Sequence, residues 1–464
     1  MPATLTRLLV DRFLARDGIP GVSRHLRELR TNERLEPRAL ADLQLDRLRR
    51  LLVHANEHTR FYRDRFAACG LVPRDVNSVA DLAVLPPLTK YDIIDHLDDL
   101  VADNIPPAAV HDSMSGGTTG HVVYFKRDNA ALPVKEAGIY RFEQWAGWDF
   151  GQWLGLVWPA VMDHPHFDTW KSRLRNRLAM RRHMLAFLGE DRQEIRDFMS
   201  GLVDRRATLI RAFPGALMSV ARVVEEDRLA LPPLRAVIST GELLQPDQRA
   251  TFERVFGVPV LDSYRSRETG PVAQQCEEVG GLHISTDLCV LEVDGSRGFP
   301  PTETGLSYGP ILFTDLFNYA MPMIRYEVGD LAALDPEPCP CGRSLPLLRD
   351  VGGRLTDILY TVDRRPLAGV GMLPNFLNHA TALGGQAQLV QRDYDDLLLR
   401  LTPPHLDEPR VAHLRARTEE VFGRGVQFTI EYVDEIPLLA SGKYRILSCE
   451  IPDEKRGPES GSGG

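Results

Sequence analysis

The sequence predicts a layered α/β protein, with a large N-terminal domain and a small mobile α+β domain after it. Three observations carry this. From about residue 107 to 261, short apolar runs alternate with helical periodicity, the pattern of parallel strands joined by helices. From 280 to 334 the apolar runs follow one another without helices, as in mixed or antiparallel β-structure. After Gly352-Gly353 a compact strand, strand, helix, strand set begins. A chain of 464 residues has room for two or more domains at roughly 150 residues each.

In chain order, residues 4–70 read as helices, with Leu45, Leu48, Leu51 and Leu52 at helical spacing. Val122-Val123-Tyr124-Phe125 reads as a strand before a helix near 129–147. Leu154-Gly155-Leu156-Val157 is a strand, and 191–205 a helix. Leu209–Phe213 is a strand leading into a helix near 215–227. Arg235–Ser239 is a strand, 246–256 a helix, and Val258–Leu261 a strand. In the β-rich stretch, Cys289–Val293 and Leu306-Ser307-Tyr308 read as strands. In the small domain, Gln388-Leu389-Val390, Leu397-Leu398-Leu399 and Val426–Ile430 are strands and 407–422 is a helix. The boundaries expected are 1–352, 353–452 and a disordered tail from 453 to 464, with a β-rich subdomain and the cysteine–histidine cluster within 280–350 of the first domain.

Composition excludes some functions. The net charge of −9 argues against a general nucleic-acid binder, which usually shows a basic face. No run of 18 apolar residues is present, so no membrane span is expected, nor is there a secretory leader pattern. Six cysteines in so long a chain do not make a disulfide framework, and the cytoplasm is the compartment expected. Lysine is scarce: the six are Lys90, Lys126, Lys135, Lys171, Lys443 and Lys455, while arginine fills the ordinary surface role. A lysine in a glycine-rich context therefore points to a need for a compact, mobile ammonium.

Two clusters carry chemistry. The loop Ser115-Gly116-Gly117-Thr118-Thr119-Gly120 exposes backbone N–H groups and hydroxyls without bulky side chains, so a polyphosphate can come close. No Gly-Lys-Ser/Thr follows, so it is not a Walker A loop, and plain turn chemistry is the competing reading. Cys276, His283, Cys339 and Cys341 offer three thiolates and one imidazole. On spacing alone they form either a closed tetrahedral site or a set of small buried residues. Cys69, Cys289 and Cys449 read as small hydrophobes, and His54, His58 and His111 as structural.

Taken in order, the motifs resemble those of the adenylate-forming superfamily, most closely its phenylacetate-CoA ligase branch with the capsule-biosynthesis and coenzyme F390 synthetase relatives. The resemblance spans about residues 40 to 448. It runs through His54–Arg63, Leu85-Pro-Pro-Leu-Thr-Lys90, Ser115–Gly120, Ser239-Thr-Gly-Glu242, Asp262-Ser-Tyr-Arg-Ser-Arg-Glu268, Arg325-Tyr-Glu-Val-Gly-Asp330, Gly353-Arg354 and Ser441-Gly-Lys443.

The resemblance implies an ATP- and Mg²⁺-dependent ligase acting on a small, aromatic carboxylic acid, with CoA the default acceptor. Ser115, Gly116, Gly117, Thr118, Thr119 and Gly120 would hold the β- and γ-phosphates. Ser239, Thr240, Gly241 and Glu242 would lie against adenine, with Asp262 and Ser263 in the nucleotide site and Tyr264 stacked near adenine or the acyl group. Glu268 would ligate Mg²⁺, Asp330 would accept the ribose hydroxyls, and Arg354 would join the nucleotide site. Lys443 would be the catalytic lysine, its ammonium offsetting charge as the carboxylate meets the α-phosphate. Thr119 and Glu268 complete the catalytic set. The relatives' zinc sites imply structural Zn²⁺ at Cys276, His283, Cys339 and Cys341. Residues 213–218 would wall the acid pocket.

Three departures from the family pattern bear on the acceptor and substrate. Arg265 and Arg267 flank the Mg²⁺ motif, where glycine usually follows the tyrosine; Arg265 could narrow the pocket, meet an anionic group or point to solvent. Thr356 replaces the hinge carboxylate. The CoA-guiding glycine loop is not recognisable in Tyr360–Gly369. An amine or hydroxyl acceptor is therefore the alternative, and a non-catalytic nucleotide-binding scaffold a third reading. The oligomeric state is not legible.

Overall fold

The computed structural model describes residues 3–114, 123–158, 176–187, 191–278, 280–297, 307–354, 358–368, 386–436 and 447–452. Within these, the chain forms a large N-terminal α/β domain and a small C-terminal α+β domain. The first hundred residues are helical: α1 (Ala3–Arg16), α2 (Val22–Asn32), α3 (Pro37–His58), α4 (Arg60–Cys69), α5 (Lys90–Asp95) and α6 (Leu97–Leu100). Leu48, Leu51, Leu52 and Ala55 of α3 bury one helical stripe against Tyr62 and Phe66 of α4. A hairpin, β1 (Val110–Met114) with β2 (Tyr124–Asp128), and helix α7 (Leu132–Trp145) follow.

One sheet of eleven strands organises the domain. Its parallel half contains β3 (Leu154–Trp158), β4 (Arg182–Ala186), β5 (Leu209–Ala212), β6 (Ala236–Thr240) and β7 (Val260–Ser266), in the order β7-β6-β5-β3-β4. Helices α8 (Arg192–Asp204), α9 (Pro214–Glu226) and α10 (Pro246–Phe256) are the crossovers that parallel neighbours require. Asp191 caps α8 by accepting from the backbone N–H groups of Gln193 and Glu194, and Gly257 ends α10 in the left-handed region at φ +69°.

The β-rich stretch continues the same sheet. A hairpin turns β7 into antiparallel β8 (Gly270–Gln275). Then come β9 (Leu282–Ile284), β10 (Cys289–Val293), β11 (Gly309–Asp315), β12 (Tyr326–Asp335) and β13 (Leu347–Arg354), giving the order β8-β9-β13-β12-β11-β10. Ser307 and Tyr308, read from the sequence as strand, precede β11 instead. Tyr308 is buried and donates to Asp350 Oδ2 at 2.6 Å, so its apolar bulk reports core packing.

The sheet is covered on both faces. Leu154, Leu156, Leu209, Ala236, Ile238 and Leu261 face Val134, Ala137 and Tyr140 of α7. Val157, Ile210, Ala212, Val237 and Val260 face α8, α9 and α10. Alternation along each strand thus sorts the side chains between two cores. Helix α7 is pinned by a buried pair: Arg141 Nη1 and Nη2 donate to the two Asp287 oxygens at 2.8 and 3.0 Å, both residues fully buried. The fork geometry satisfies both charges inside the protein.

The small domain has a hairpin, β14 (Ile358–Tyr360) with β15 (Pro366–Ala368). Its four-stranded sheet contains β16 (Ala387–Asp393), β17 (Asp396–Leu401), β18 (Gln427–Tyr432) and β19 (Leu447–Cys449) in the order β18-β17-β16-β19. Helix α11 (Glu408–Phe422) packs on it through Leu414 and Phe422. Among the described residues no helix is long and apolar enough to cross a membrane.

Candidate functional site

In open α/β sheets ligands bind outside the carboxyl ends of the parallel strands. The segments following β6 and β7 carry two of the sequence motifs. Ser239 and Thr240 end β6, fully or almost fully buried, and Thr240 Oγ1 donates to the Ser263 carbonyl of β7 at 3.0 Å. Ser239 Oγ is buried without a hydrogen-bond partner among the described residues. Gly241 has φ +81°, and a Cβ there would stand 2.4 Å from the Phe213 ring. Both the conformation and the contact demand glycine. Glu242 then reaches back to accept from the Gly215 N–H at 3.0 Å, which ties this segment to the start of α9. The Phe213 ring meets Trp158 edge-on at 4.7 Å, so residues after β3, β5 and β6 share one aromatic wall.

Strand β7 sends alternate residues to opposite sides. Asp262 is held by Gln275, whose Oε1 accepts from the Asp262 backbone N–H at 2.9 Å while Arg249 Nη2 donates to the same oxygen at 2.8 Å. Burial pushes the Asp262 carboxyl up to about 7, against the opposing pull of Arg249. Tyr264 Oη donates to Asp330 Oδ2 at 2.7 Å. Asp330 lies at a β-bulge on β12, after Gly329 at φ +88°, and pairs in register with Arg354 of β13. The Arg354 side chain lies outside the described residues.

The β7–β8 turn carries Glu268. Ser266 and Thr269 lock it: each backbone N–H donates to the other's hydroxyl at 3.2 Å. Lys135 of α7 steadies it from outside, donating to the Thr269 carbonyl at 3.1 Å and pairing with Asp315 at 3.0 Å. No hydrogen bond or direct ion pair joins the Glu268 carboxylate to any described residue; Arg127 is its electrostatic neighbour. A hard carboxylate left free in this way suits Mg²⁺, which commonly takes one or two protein carboxylates plus phosphate oxygens. Sequence reasoning missed Lys135 as a partner of this turn, although the scarcity of lysine could have singled it out.

Two further motifs meet. Leu88 donates to the Arg325 carbonyl and accepts from the Glu327 N–H, both at 2.9 Å. Arg325, itself at φ +52°, donates to the Leu85 carbonyl. The Leu85–Lys90 segment is therefore the strap that holds the strand leading to Asp330. His54, His58 and His111 bond Tyr319, Asp103 and Asn129, outside this constellation. The loop Ser115, Gly116, Gly117, Thr118, Thr119 and Gly120 lies outside the described residues, as do Thr356 and Lys443.

The cysteine cluster is a second centre. The ligating atoms of Cys276, His283, Cys339 and Cys341 all lie within 4.8 Å of one another. Cys276 Sγ is 3.6 Å from Cys339 Sγ, and Cys341 Sγ is 3.3 Å from His283 Nε2. Bonds of ~2.3 Å to sulfur in a tetrahedron call for edges of roughly 3.8 Å, so the spacing fits. His283 Nδ1 is 3.1 Å from the Leu345 carbonyl, which leaves Nε2 to face the thiols. Burial keeps the imidazole neutral, with its pKa down at about 4, the form a metal needs. The cluster joins β8 and β9 to the Cys339–Cys341 turn and fits a closed structural ion.

Comparison with known proteins agrees with this architecture. Residues 371–449 match the CapK C-terminal domain family. Protein CapK of Staphylococcus aureus is 22% identical over 426 residues, covering 89% of this chain and 90% of its own. The phenylacetate-coenzyme A ligase of Escherichia coli is 27% identical, covering 75% of this chain and 78% of its own. That of Thermus thermophilus is 29% identical, with 74% and 75% covered. Among solved structures, 2-hydroxyisobutyryl-CoA ligase in its postadenylation state shares the fold with a TM-score of 0.70 at 20% identity, covering 91% of this chain and 92% of its own. The fold and these relatives define an enzyme of the adenylate-forming superfamily of ATP-dependent ligases. Within it the similarity is to phenylacetate-CoA ligase and CapK.

Proposed function

We propose that this chain activates a small carboxylic acid with ATP and Mg²⁺ and releases pyrophosphate. A carboxylate oxygen forms a bond to the α-phosphorus as the bond from that phosphorus to the bridging oxygen breaks. The substrate carboxylate is already ionised at neutral pH, so no general base is needed. Ser239–Glu242 would lie along adenine, with the Phe213 ring packed against Gly241 beside it. Asp330 would accept the ribose hydroxyls. Glu268 would hold the magnesium ion, which neutralises phosphate charge when bound. Ser115–Gly120 would donate to the β- and γ-phosphates and Lys443 to the oxygens that gain charge. The zinc ion at Cys276, His283, Cys339 and Cys341 would be structural, because four protein ligands leave no open position.

The observation that carries this reading is the Tyr264–Asp330 hydrogen bond, which draws together two motif residues 66 positions apart. The acyl group would then pass to a thiol, with CoA the default acceptor and an aromatic acid the default substrate. A second reading, transfer to an amine or hydroxyl, is favoured by Thr356 at the hinge position and by the unrecognisable CoA loop. Mass spectrometry of reactions with ATP, Mg²⁺ and a panel of acids, with and without CoA, tests both. AMP with an acyl-CoA supports the first; an adenylate that never passes to CoA supports the second; no AMP or pyrophosphate with any acid contradicts both.

A further inference from the structure

Where α7 meets the ends of β5 and β7, more positive charge gathers than the local carboxylates balance. On this face the apolar pattern of the strands gives way near their carboxyl ends. Arg211 stands two residues after Leu209, Ser263 two after Leu261, and Arg265 two after Ser263. Period-two alternation puts Arg211 and Ser263 on the side facing α7; a bulge interrupts β7 between Tyr264 and Arg265, and the hydrogen bonds of Arg265 to Ser263 Oγ keep it on that side. Arg211 Nη1 pairs with Glu143 of α7 at 2.5 Å, and Arg182 Nη2 pairs with Glu136 at 3.3 Å.

Among the described residues Arg265 has no such partner. Its Nε and Nη2 both donate to the single Ser263 oxygen, at 3.2 and 2.9 Å, and no carboxylate among the described residues lies within ion-pair distance. Three guanidinium groups thus face two carboxylates, and the unbalanced charge sits on Arg265. Burial and then repulsion from Arg211 drag its pKa down to about 9, so the group is cationic at neutral pH but poorly stabilised there. It is only partly buried, so a ligand can reach it. It lies near the carboxyl end of β7, the end along which the candidate site lies.

We propose that the acid activated by this chain carries a second carboxylate, and that Arg265 binds it. This rests on the adenylation reading above. A planar guanidinium whose remaining N–H donors are uncommitted matches a carboxylate in a fork, an arrangement a methyl group cannot replace.

The test is ATP–pyrophosphate exchange by the full chain on acids matched except at the far end: pentanoate against glutarate, hexanoate against adipate, and 4-methylbenzoate against terephthalate. In pairs that react, the dicarboxylate is expected to have a kcat/KM at least ~10-fold higher, the scale of hydrogen bonds to a charged group, with the advantage in Arg265→Gln falling below ~3-fold. Arg265→Lys, which keeps the charge but not the fork, should keep part of the preference and serves if the glutamine variant does not fold. Equal use of both acids by the wild type, or an unchanged preference in the variants, overturns the inference while leaving adenylation standing. An absence of exchange with every acid overturns both.

Discussion

Tyr264 at the end of β7 donates its phenolic proton to Asp330 on β12, although β8, β9 and β13 lie between those strands in the sheet. The bond fixes the Asp330 carboxylate at the bulge after Gly329. Tyr264→Phe removes one charge-assisted hydrogen bond, worth ~1.5–3 kcal/mol. The KM for ATP should rise ~10-fold or more, with a smaller change in kcat. Initial rates against ATP concentration check this; an unchanged KM would show that Asp330 does not rely on Tyr264.

Lys443 separates an enzyme from a scaffold. Removing a preorganised donor from developing negative charge costs ~2.7–4 kcal/mol in the barrier, so Lys443→Ala should lower kcat for adenylation by ~10²–10³-fold. ATP binding, followed by calorimetry, should survive. ATP binding without turnover in the wild type, unchanged in Lys443→Ala, would support the scaffold reading.

The cysteine cluster should hold one zinc ion per chain. Metal analysis of the purified protein is expected to find about one equivalent, falling to under about half in Cys339→Ser or His283→Ala. Because the ligands bridge β8, β9 and the 339–341 turn, both variants should melt at lower temperature than the wild type. Intact melting in a zinc-free variant would argue that the cluster is only buried packing.

Asp262 gives stability a pH slope of defined sign. Burial raises its folded pKa to about 7 from an ordinary 3.8. The folded protein keeps this proton at pH values where the unfolded chain has released it. The contribution is therefore undiminished below about pH 4 and is lost as pH rises toward 7. Asp262→Asn, which cannot ionise, should flatten the decline in melting temperature between pH 5 and 8. Parallel melting curves for the two proteins would mean that Arg249 holds the carboxylate ionised throughout.

Much of the fold was legible because it rests on local periodicity. Strands β3, β5, β6 and β7, helix 246–256, and β16, β17, α11 and β18 of the small domain follow from strand and helix spacing, whereas β4, β14, β15 and β19 were not read. The joining of the β-rich stretch to the parallel half was not legible, because a hairpin at Ser266–Gly270 carries no sequence mark of which sheet it extends. At the site, the motifs gave Tyr264 and Asp330 separately, but no spacing rule links residues that meet across three strands. Gly241 was legible as a need for space, while the Phe213 ring that enforces it was not. Arg265 was visible only as a departure from pattern. Its want of a carboxylate depends on where Glu143 and Glu136 of α7 direct their charge, which is a tertiary fact.

The most direct test of the central claim is acid-dependent exchange of labelled pyrophosphate into ATP, measured on the wild-type chain with Mg²⁺ and no CoA. Adenylation predicts incorporation that requires a carboxylic acid and Mg²⁺ and falls ~10²-fold or more in Lys443→Ala. No incorporation with any acid, or incorporation indifferent to Lys443, would contradict it.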